Sequence, residues 1–139
     1  MPVRAIARGV KLSPRKVAVV ASLVRGRSVN EAVTILEHTP RRSALTVKKV
    51  ILSARANAEH NHNYKPASLQ ITEITVSPGP RTKRYRPAAR GSALPYQKKS
   101  SNIYVVVDGE QREAKKPVKK STSKNPQTDK VEVSKTETK

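Results

Sequence analysis

The sequence predicts an α+β fold, three helices packed on a small three-stranded antiparallel sheet, and three observations carry that expectation. Apolar residues recur at helical spacing, with end signals, through roughly the first sixty positions. Beyond a polar turn near residue 62 the apolar period falls to two. A basic, proline-punctuated stretch then separates two strand-like runs, and it is too long for an ordinary hairpin loop.

Taken in order, Val3, Ala5 and Ala7 alternate with Arg4 and Arg8 and predict a strand that adds to the sheet. Ser13-Pro14 supplies an N-cap and a proline at the first helical position, where its missing N–H is no loss. Val17, Val20, Ala21 and Val24 follow at helical spacing, and Gly26 stands just past the end as a C-cap. Ser28 with Glu31 reads as a capping box opening a second helix, whose apolar positions are Val29, Ala32, Val33 and Leu36. Thr39-Pro40 ends it, because a residue before proline avoids the α region. A third helix is expected from about Arg41 to His60, with the stripe Ala44, Val47, Ile51, Ala54 and Ala58. Seven residues make nearly two turns, so Arg41, Lys48 and Arg55 share a different face. The core is expected to hold Val17, Val20, Val24, Val33, Leu36, Val47 and Ile51.

In the second half, Leu69 and Ile71 alternate with polar neighbours, but Ile74 and Val76 are out of phase by one. A bulge at Thr72-Glu73, or burial on both faces, accounts for the shift. Ile103 to Val107 reads as the partner strand, too apolar for an exposed edge. Between them, residues 81–99 carry Arg81, Lys83, Arg84, Arg86, Arg90, Lys98 and Lys99 with no acid. Extended, Arg81 and Lys83 face one way while Arg84 and Arg86 face the other, so neither side is a core face. The expected hairpin has arms Ile74–Arg90 and Ser92–Val107, about 17 residues each, a projection on the order of 50 Å. Arg90-Gly91 marks the tip, where glycine permits positive φ. A ribbon of this kind is marginal in water by itself and calls for a surrounding ligand. Arginine forks match phosphate oxygens, and Tyr85 or Tyr96 suits stacking on bases.

The charge points the same way. Lys plus Arg number 29 against 10 Asp plus Glu in 139 residues, a net charge of +19 and a pI near 10.8. Such an excess opposes compaction by self-repulsion unless a polyanion neutralises it. Residues 1–110 hold 20 basic and 6 acidic side chains and are expected to form the globular unit with its hairpin. Residues 111–139 lack aromatics, Leu and Ile, and are expected to be a disordered basic tail. With no cysteine, disulfides, thiol catalysis and cysteine-held metals are excluded. No apolar run approaches a membrane span, and the N-terminus has no uninterrupted apolar core of a secretory signal. No nucleophile elbow, phosphate-binding glycine loop or paired carboxylates appear, so neither an enzyme nor a cofactor is expected. His60 and His62, two apart, do not face each other on a helix and have no third ligand near, so no metal is expected.

The runs LSPRKVAVVASLVRGRSVNEAVTILEHTPRRSALTVKKVILSARANAEHN (residues 12–61) and GPRTKRYRPAARGSALPYQKKSSNIYVVV (79–107) resemble the universal large-subunit ribosomal protein numbered twenty-two. SPRKV, the RG after the first helix, ANAEHN and GP-x-x-KR-x-x-P-x-ARG are specific in combination. The resemblance implies a structural constituent of the large ribosomal subunit that binds large-subunit rRNA and assists assembly. Its hairpin would line the nascent-peptide exit tunnel near the macrolide site. The rRNA contacts so expected are Lys11, Ser13, Arg15, Lys16, Arg25, Arg27, Arg41, Lys48, Arg55, Asn57, His60, Asn61, Arg81, Lys83, Arg84, Arg86, Arg90, Lys98 and Lys99. Of these, Arg15, Lys16, Arg25 and Arg27 are read as clustering around two adjacent helix termini. The tunnel-lining tip would be Pro87, Ala88, Ala89, Arg90, Gly91, Ser92, Ala93 and Leu94. Expected partners are rRNA, neighbouring large-subunit proteins and the nascent peptide, with no membrane and no homo-oligomer. The expected location is the bacterial cytoplasm, ribosome-bound, an organelle-encoded copy being the alternative. The competing class is a nonspecific DNA binder, since counterion release works on any phosphate polymer; Pro87 is the one wedge-like residue that favours it.

Overall fold

The computed structural model describes residues 2–112, so the remainder of the expected tail, 113–139, lies outside the described residues. The element order is β1 (Val3–Val10), α1 (Pro14–Val24), α2 (Val29–His38), α3 (Arg42–His62), β2 (Gln70–Pro78), β3 (Thr82–Pro87), β4 (Ala93–Lys98) and β5 (Ser101–Asp108). The α+β architecture is as expected. The sheet runs β1-β5-β2, all antiparallel, with β3 and β4 forming a separate two-stranded ribbon.

Local chemistry explains the helices. Ser13 caps α1 through its carbonyl, which accepts from the Lys16 and Val17 amides at 3.0 and 3.2 Å, while its hydroxyl caps nothing. Gly26, one residue past the Arg25 C-cap, takes φ +73°, open to glycine without strain. The Ser28 hydroxyl accepts from the Glu31 amide at 3.3 Å, half of the anticipated capping box. The third helix runs two residues further than expected and ends on Asn63 in the left-handed region, φ +52°. The Tyr64 amide donates to the Ala58 carbonyl at 3.0 Å.

Helices cover one face of the sheet. α1 packs on β2, α3 on β1 and β5, and α2 rides on α3. The shared core contains Val17, Val20, Val24, Leu36, Val47 and Ile51, all buried, facing Ile71, Ile74, Ile103, Val105 and Val107 of the sheet. Val33 departs from expectation: it is only partly buried, at the edge of the cluster. Tyr64 and Leu69, not assigned to the core by their spacing, are among the largest fully buried side chains.

β5 is the central strand, which is why its residues are so uniformly apolar. The register between β2 and β5 slips between Ile71 and Glu73, leaving Thr72 as the extra residue. Of the two explanations for the phase shift this is the bulge, not burial on both faces: it returns Ile74 to the buried face while Thr75 stays exposed. The exposed edge of β2 is covered at its start by the α1–α2 connection. There the Gly26 amide donates to the Ile71 carbonyl, the Ile71 amide to the Arg27 carbonyl, and the Val29 amide to the Leu69 carbonyl.

The hairpin differs from expectation in one respect. Its arms are not continuous strands: the first part of each belongs to the body sheet, down to the pair Pro78–Ser101. The free ribbon begins only at Thr82–Lys98. Three residues on one side (79–81) oppose two on the other (99–100), so the ladder is interrupted and re-aimed there. Pro78 and Pro80, which lack amide donors, enforce the break. Counted from the last body pair, Pro78–Ser101, the projecting part is about ten residues per arm, on the order of 33 Å rather than 50 Å. At the other end, order continues past the expected boundary near residue 110: Tyr64 bridges to Gln111, and the Arg112 amide donates to the Asn63 carbonyl at 2.7 Å.

Candidate nucleic-acid interface

The ribbon is the most exposed part of the fold. Every residue of β3 is exposed, as is all of β4 except half-buried Tyr96, and the extensive contacts of both strands are with each other. The register assigns two faces. Thr82, Arg84 and Arg86 share one with Lys98, Tyr96 and Leu94; Lys83, Tyr85 and Pro87 share the other with Gln97, Pro95 and Ala93. Each paired cation lies opposite a neutral side chain: Arg84 faces Tyr96, Arg86 faces Leu94, Lys83 faces Gln97 and Lys98 faces Thr82. Like charges directly opposite would be destabilising, so this register is what lets so basic a ribbon pair at all. The Arg86 guanidinium sits 4.8 Å from the Tyr96 ring centroid, a cation–π contact that stiffens the cationic face.

The tip is a tight turn. The Ala88 amide donates to the Ser92 carbonyl at 2.8 Å, and the Ser92 hydroxyl to the Ala89 carbonyl at 2.9 Å. Arg90 and Gly91 both take positive φ, +58° and +73°. Glycine accepts this readily, whereas Arg90 is held there by the closing bonds. Arg81 and Lys99 flank the joint, outside the paired ribbon, and both are exposed.

On the body, the cations assigned from sequence divide into free and engaged. Lys16 lines a surface hollow with Leu12, Arg41, Arg42 and Ser43, where the N-termini of α1 and α3 meet. The Ser43 hydroxyl reaches the Lys16 carbonyl at 3.4 Å. Neither helix has an acid in its first turn or a side-chain cap, so both positive ends stay uncompensated among the described residues. Lys11 and Arg15 are exposed in and beside the same connection, and Ser13 is half-buried at its end. The anticipated cluster with Arg25 and Arg27 does not form. Those two lie at the far end of α1, about 16 Å away along an 11-residue helix. Arg25 donates to the Ile74 carbonyl at 2.9 Å and Arg27 to the Leu23 carbonyl at 3.1 Å.

Lys48 and Arg55 do share a face of α3, and it is turned to α2. Lys48 pairs with Glu37 at 2.8 Å, and this bond holds the Glu37 carboxyl below the usual carboxylate range. Arg55 reaches the Asn30 side-chain oxygen at 3.4 Å. Asn57 is half-buried, and His60 and Asn61 are exposed at the C-terminal end of α3. No group of metal-ligating side chains occurs among the described residues. Arg42 was missed: the sequence places the helix start at about Arg41 and singles out only that residue's face, whereas the helix begins at Arg42. Arg4 and Arg8 were missed as candidates too: they lie exposed on β1 out of phase with buried Val3 and Ala5, a placement their alternation foretold.

A family model described as "Ribosomal protein L22p/L17e" matches residues 5–108, the helices, the ribbon and all of the sheet but the first two residues of β1. A relative from Lactobacillus delbrueckii subsp. bulgaricus, named large ribosomal subunit protein uL22, is 48% identical over 104 residues, covering 75% of this chain and 89% of that protein. One of the same name from Clostridium tetani is 48% identical over 107 residues, covering 77% and 96%.

Proposed function

The chain belongs to the ribosomal protein L22p/L17e family, and on that premise we propose that it binds large-subunit rRNA, assists subunit assembly and sends its ribbon along the wall of the nascent-peptide exit tunnel. Its role in the large ribosomal subunit is structural, not enzymatic. The observation that carries the finer reading is the ribbon, a free two-stranded projection with cations on both faces and no acid between Glu73 and Asp108. Phosphates running along it would release counterions and hold the arms. Arg81, Lys83, Arg84, Arg86, Lys98 and Lys99 grip rRNA along the arms, and residues 87–94 reach the lumen near the macrolide site and the nascent peptide. The body docks through the hollow between α1 and α3, where Lys11, Ser13, Arg15, Lys16 and Arg41 meet RNA backbone, and through Asn57, His60 and Asn61. Arg25, Arg27, Lys48 and Arg55 contribute less, because each already has a partner within the fold.

The proposed unit is residues 1–110 with its hairpin, followed by a tail dispensable for rRNA binding. The chain works as a single copy beside neighbouring large-subunit proteins, in the bacterial cytoplasm; none of the described helices is long and apolar enough to cross a membrane. A DNA-binding role is disfavoured, since the ribbon carries cations on both faces, Arg84, Arg86 and Lys98 on one and Lys83 on the other. The test is co-sedimentation with large subunits at moderate salt, followed by a structure of those subunits. Failure to co-sediment, or a ribbon folded back on its own helices, refutes the reading.

A further inference from the structure

We propose that Tyr85 is a stacking platform for an unpaired nucleobase, so that the two faces of the ribbon take different parts of one RNA, phosphates on the Arg84–Arg86 side and a base on the Tyr85 side. The inference rests on the rRNA-binding reading above and adds to it a base contact on the face where that reading places only Lys83.

The two ribbon tyrosines differ in what they have left to offer. Tyr96 is half-buried, and the Arg86 guanidinium lies over its ring at 4.8 Å, so one π-face is taken. Tyr85 is 69% exposed on the opposite side of the ribbon. Directly across from it is Pro95, and Pro87 and Ala93 complete that end of the face. None of these is long enough to fold over the ring, and none offers a polar side-chain group to it. The result is a flat surface of one aromatic ring beside two pyrrolidines, held by strand pairing and not by a flexible loop.

The surroundings select the occupant. No acid lies between Glu73 and Asp108, and Lys83 stands on the same face two residues along the strand, about 6.6 Å away. A nucleotide, with a flat neutral base and a negatively charged phosphate beside it, meets both features. Any nucleobase presents such a π-face, which makes stacking tolerant of sequence. Bases inside an RNA duplex have their faces covered by neighbours, so the occupant is one splayed out of a helix. An apolar side chain of a neighbouring protein would also pack here, but would not need an aromatic ring.

The test uses the full chain and a single-stranded oligoadenylate at low salt. Tyr85→Phe should bind as wild type does, while Tyr85→Leu should bind about 5- to 150-fold more weakly, the range expected for one lost base stack. The slope of affinity against salt should be unchanged in Tyr85→Leu and reduced in Arg84→Ala, because only the latter removes a phosphate contact. The chain has no tryptophan, so Tyr85→Trp introduces a unique indole, whose fluorescence should be quenched by the single strand and not by an RNA duplex. In large subunits assembled with Tyr85→Leu, one unpaired rRNA base should gain reactivity towards base-modifying reagents. Wild-type affinity in Tyr85→Leu, or an unquenched indole, overturns the stacking role and points to a protein neighbour. A wild-type chain that bound no RNA would instead overturn the underlying rRNA reading.

Discussion

The joint at Gly79 should decide where the ribbon points, and adding one methyl group there should move it. Gly79 does not need positive φ; it is required by close approach. A Cβ at this position would lie 2.7 Å from the Ser100 hydroxyl oxygen, 3.2 Å from the Ser100 carbonyl carbon and 3.3 Å from the Asn102 side-chain oxygen. None of these can yield freely. The Ser100 hydroxyl donates to the Pro80 carbonyl, the Asn102 oxygen accepts from the Gly9 amide at 2.9 Å, and the Gly79 amide donates to the Ser100 carbonyl at 2.9 Å. Keeping the geometry in Gly79→Ala costs about 1–3 kcal/mol of overpacking. Lost freedom of the unfolded chain offsets about 0.4–1 kcal/mol of that. Opening the joint instead sacrifices the Gly79–Ser100 bond, about 0.5–1.5 kcal/mol. The two routes cost similar amounts, so the second is open, and it has a geometric signature. Relieving the 2.7 Å contact takes about 0.7 Å. Across an inter-strand spacing of about 4.8 Å that is a rotation of roughly 8°, which over about 33 Å of ribbon displaces the tip by about 5 Å. The chain has no cysteine, so Val19→Cys on α1 and Leu94→Cys near the tip, both at exposed positions, can carry spin labels for a distance measurement. Gly79→Ala should shift that distance by several ångströms or lower Tm by on the order of 5–10 °C. The shift should shrink when the substitution is made on a Ser100→Ala background, where the nearest contact is gone. An unmoved label distance with wild-type Tm, or an equal shift on both backgrounds, refutes the joint as the aiming element.

Val47, fully buried in the second turn of α3, should not tolerate a charge: Val47→Asp is expected to abolish soluble folded protein, and a variant with wild-type thermal unfolding would overturn the packing of α3 described above. Glu37 should titrate below the ordinary glutamate range by carboxyl NMR and return to it in Lys48→Gln. A depressed carboxyl pKa contributes stability above the unfolded-state value and loses it as pH falls through the folded one, so any effect of Lys48→Gln on stability should vanish in acid. Truncation after Arg112 should leave large-subunit incorporation intact apart from a salt-dependent loss, whereas ending the chain at Gly109 also removes the ties to Asn63, Tyr64 and Glu59 and should lower Tm. Deleting Thr82-Lys83-Arg84 should spare the body but displace the tip and alter macrolide sensitivity, read from the variant's large-subunit structure and drug response.

Much of this fold was legible because its signals are local. Pro14, Gly26, Ser28 and the dipeptide Thr39-Pro40 are terminators whose mechanism needs no partner, and the helices lie within two residues of where they point. The Thr72 bulge was legible for a different reason: a half-buried strand cannot change phase without one. Features set by tertiary contact were not. Nothing local says that Tyr64 is buried while Val33 is partly exposed, since Val33 depends on where α2 lies on α3 and Tyr64 on a bridge to Gln111, far along the chain. Nor does spacing reveal that the two proline residues around Gly79 divide the hairpin, because proline breaks a ladder only in combination with the strand opposite.

The site was legible at the level of charge and illegible at the level of availability. Sequence treats all of its cations alike, yet Arg25 and Arg27 are fastened to backbone carbonyls, Lys48 to a carboxylate and Arg55 to an amide. Among the described residues, the ribbon's cations have two competing interactions, Arg84 with its neighbour's carbonyl and Arg86 with the Tyr96 ring. Cations with no acidic partner among the described residues are grouped most densely in two places, the ribbon and the hollow where the uncapped ends of α1 and α3 meet Lys16, Arg41 and Arg42, with Arg4 and Arg8 exposed on β1 besides. Both are built so that the fold itself cannot satisfy them. The ribbon's register keeps its cations from facing one another but supplies no acid, and the helix ends lack the capping side chains that most helices carry. An arrangement that leaves charge uncompensated within a folded chain is stable only to the extent that repulsion is spread out or a polyanion is bound. Here the spreading is done by the 33 Å of projecting ribbon, which carries its charge away from the body and towards the partner that can compensate it.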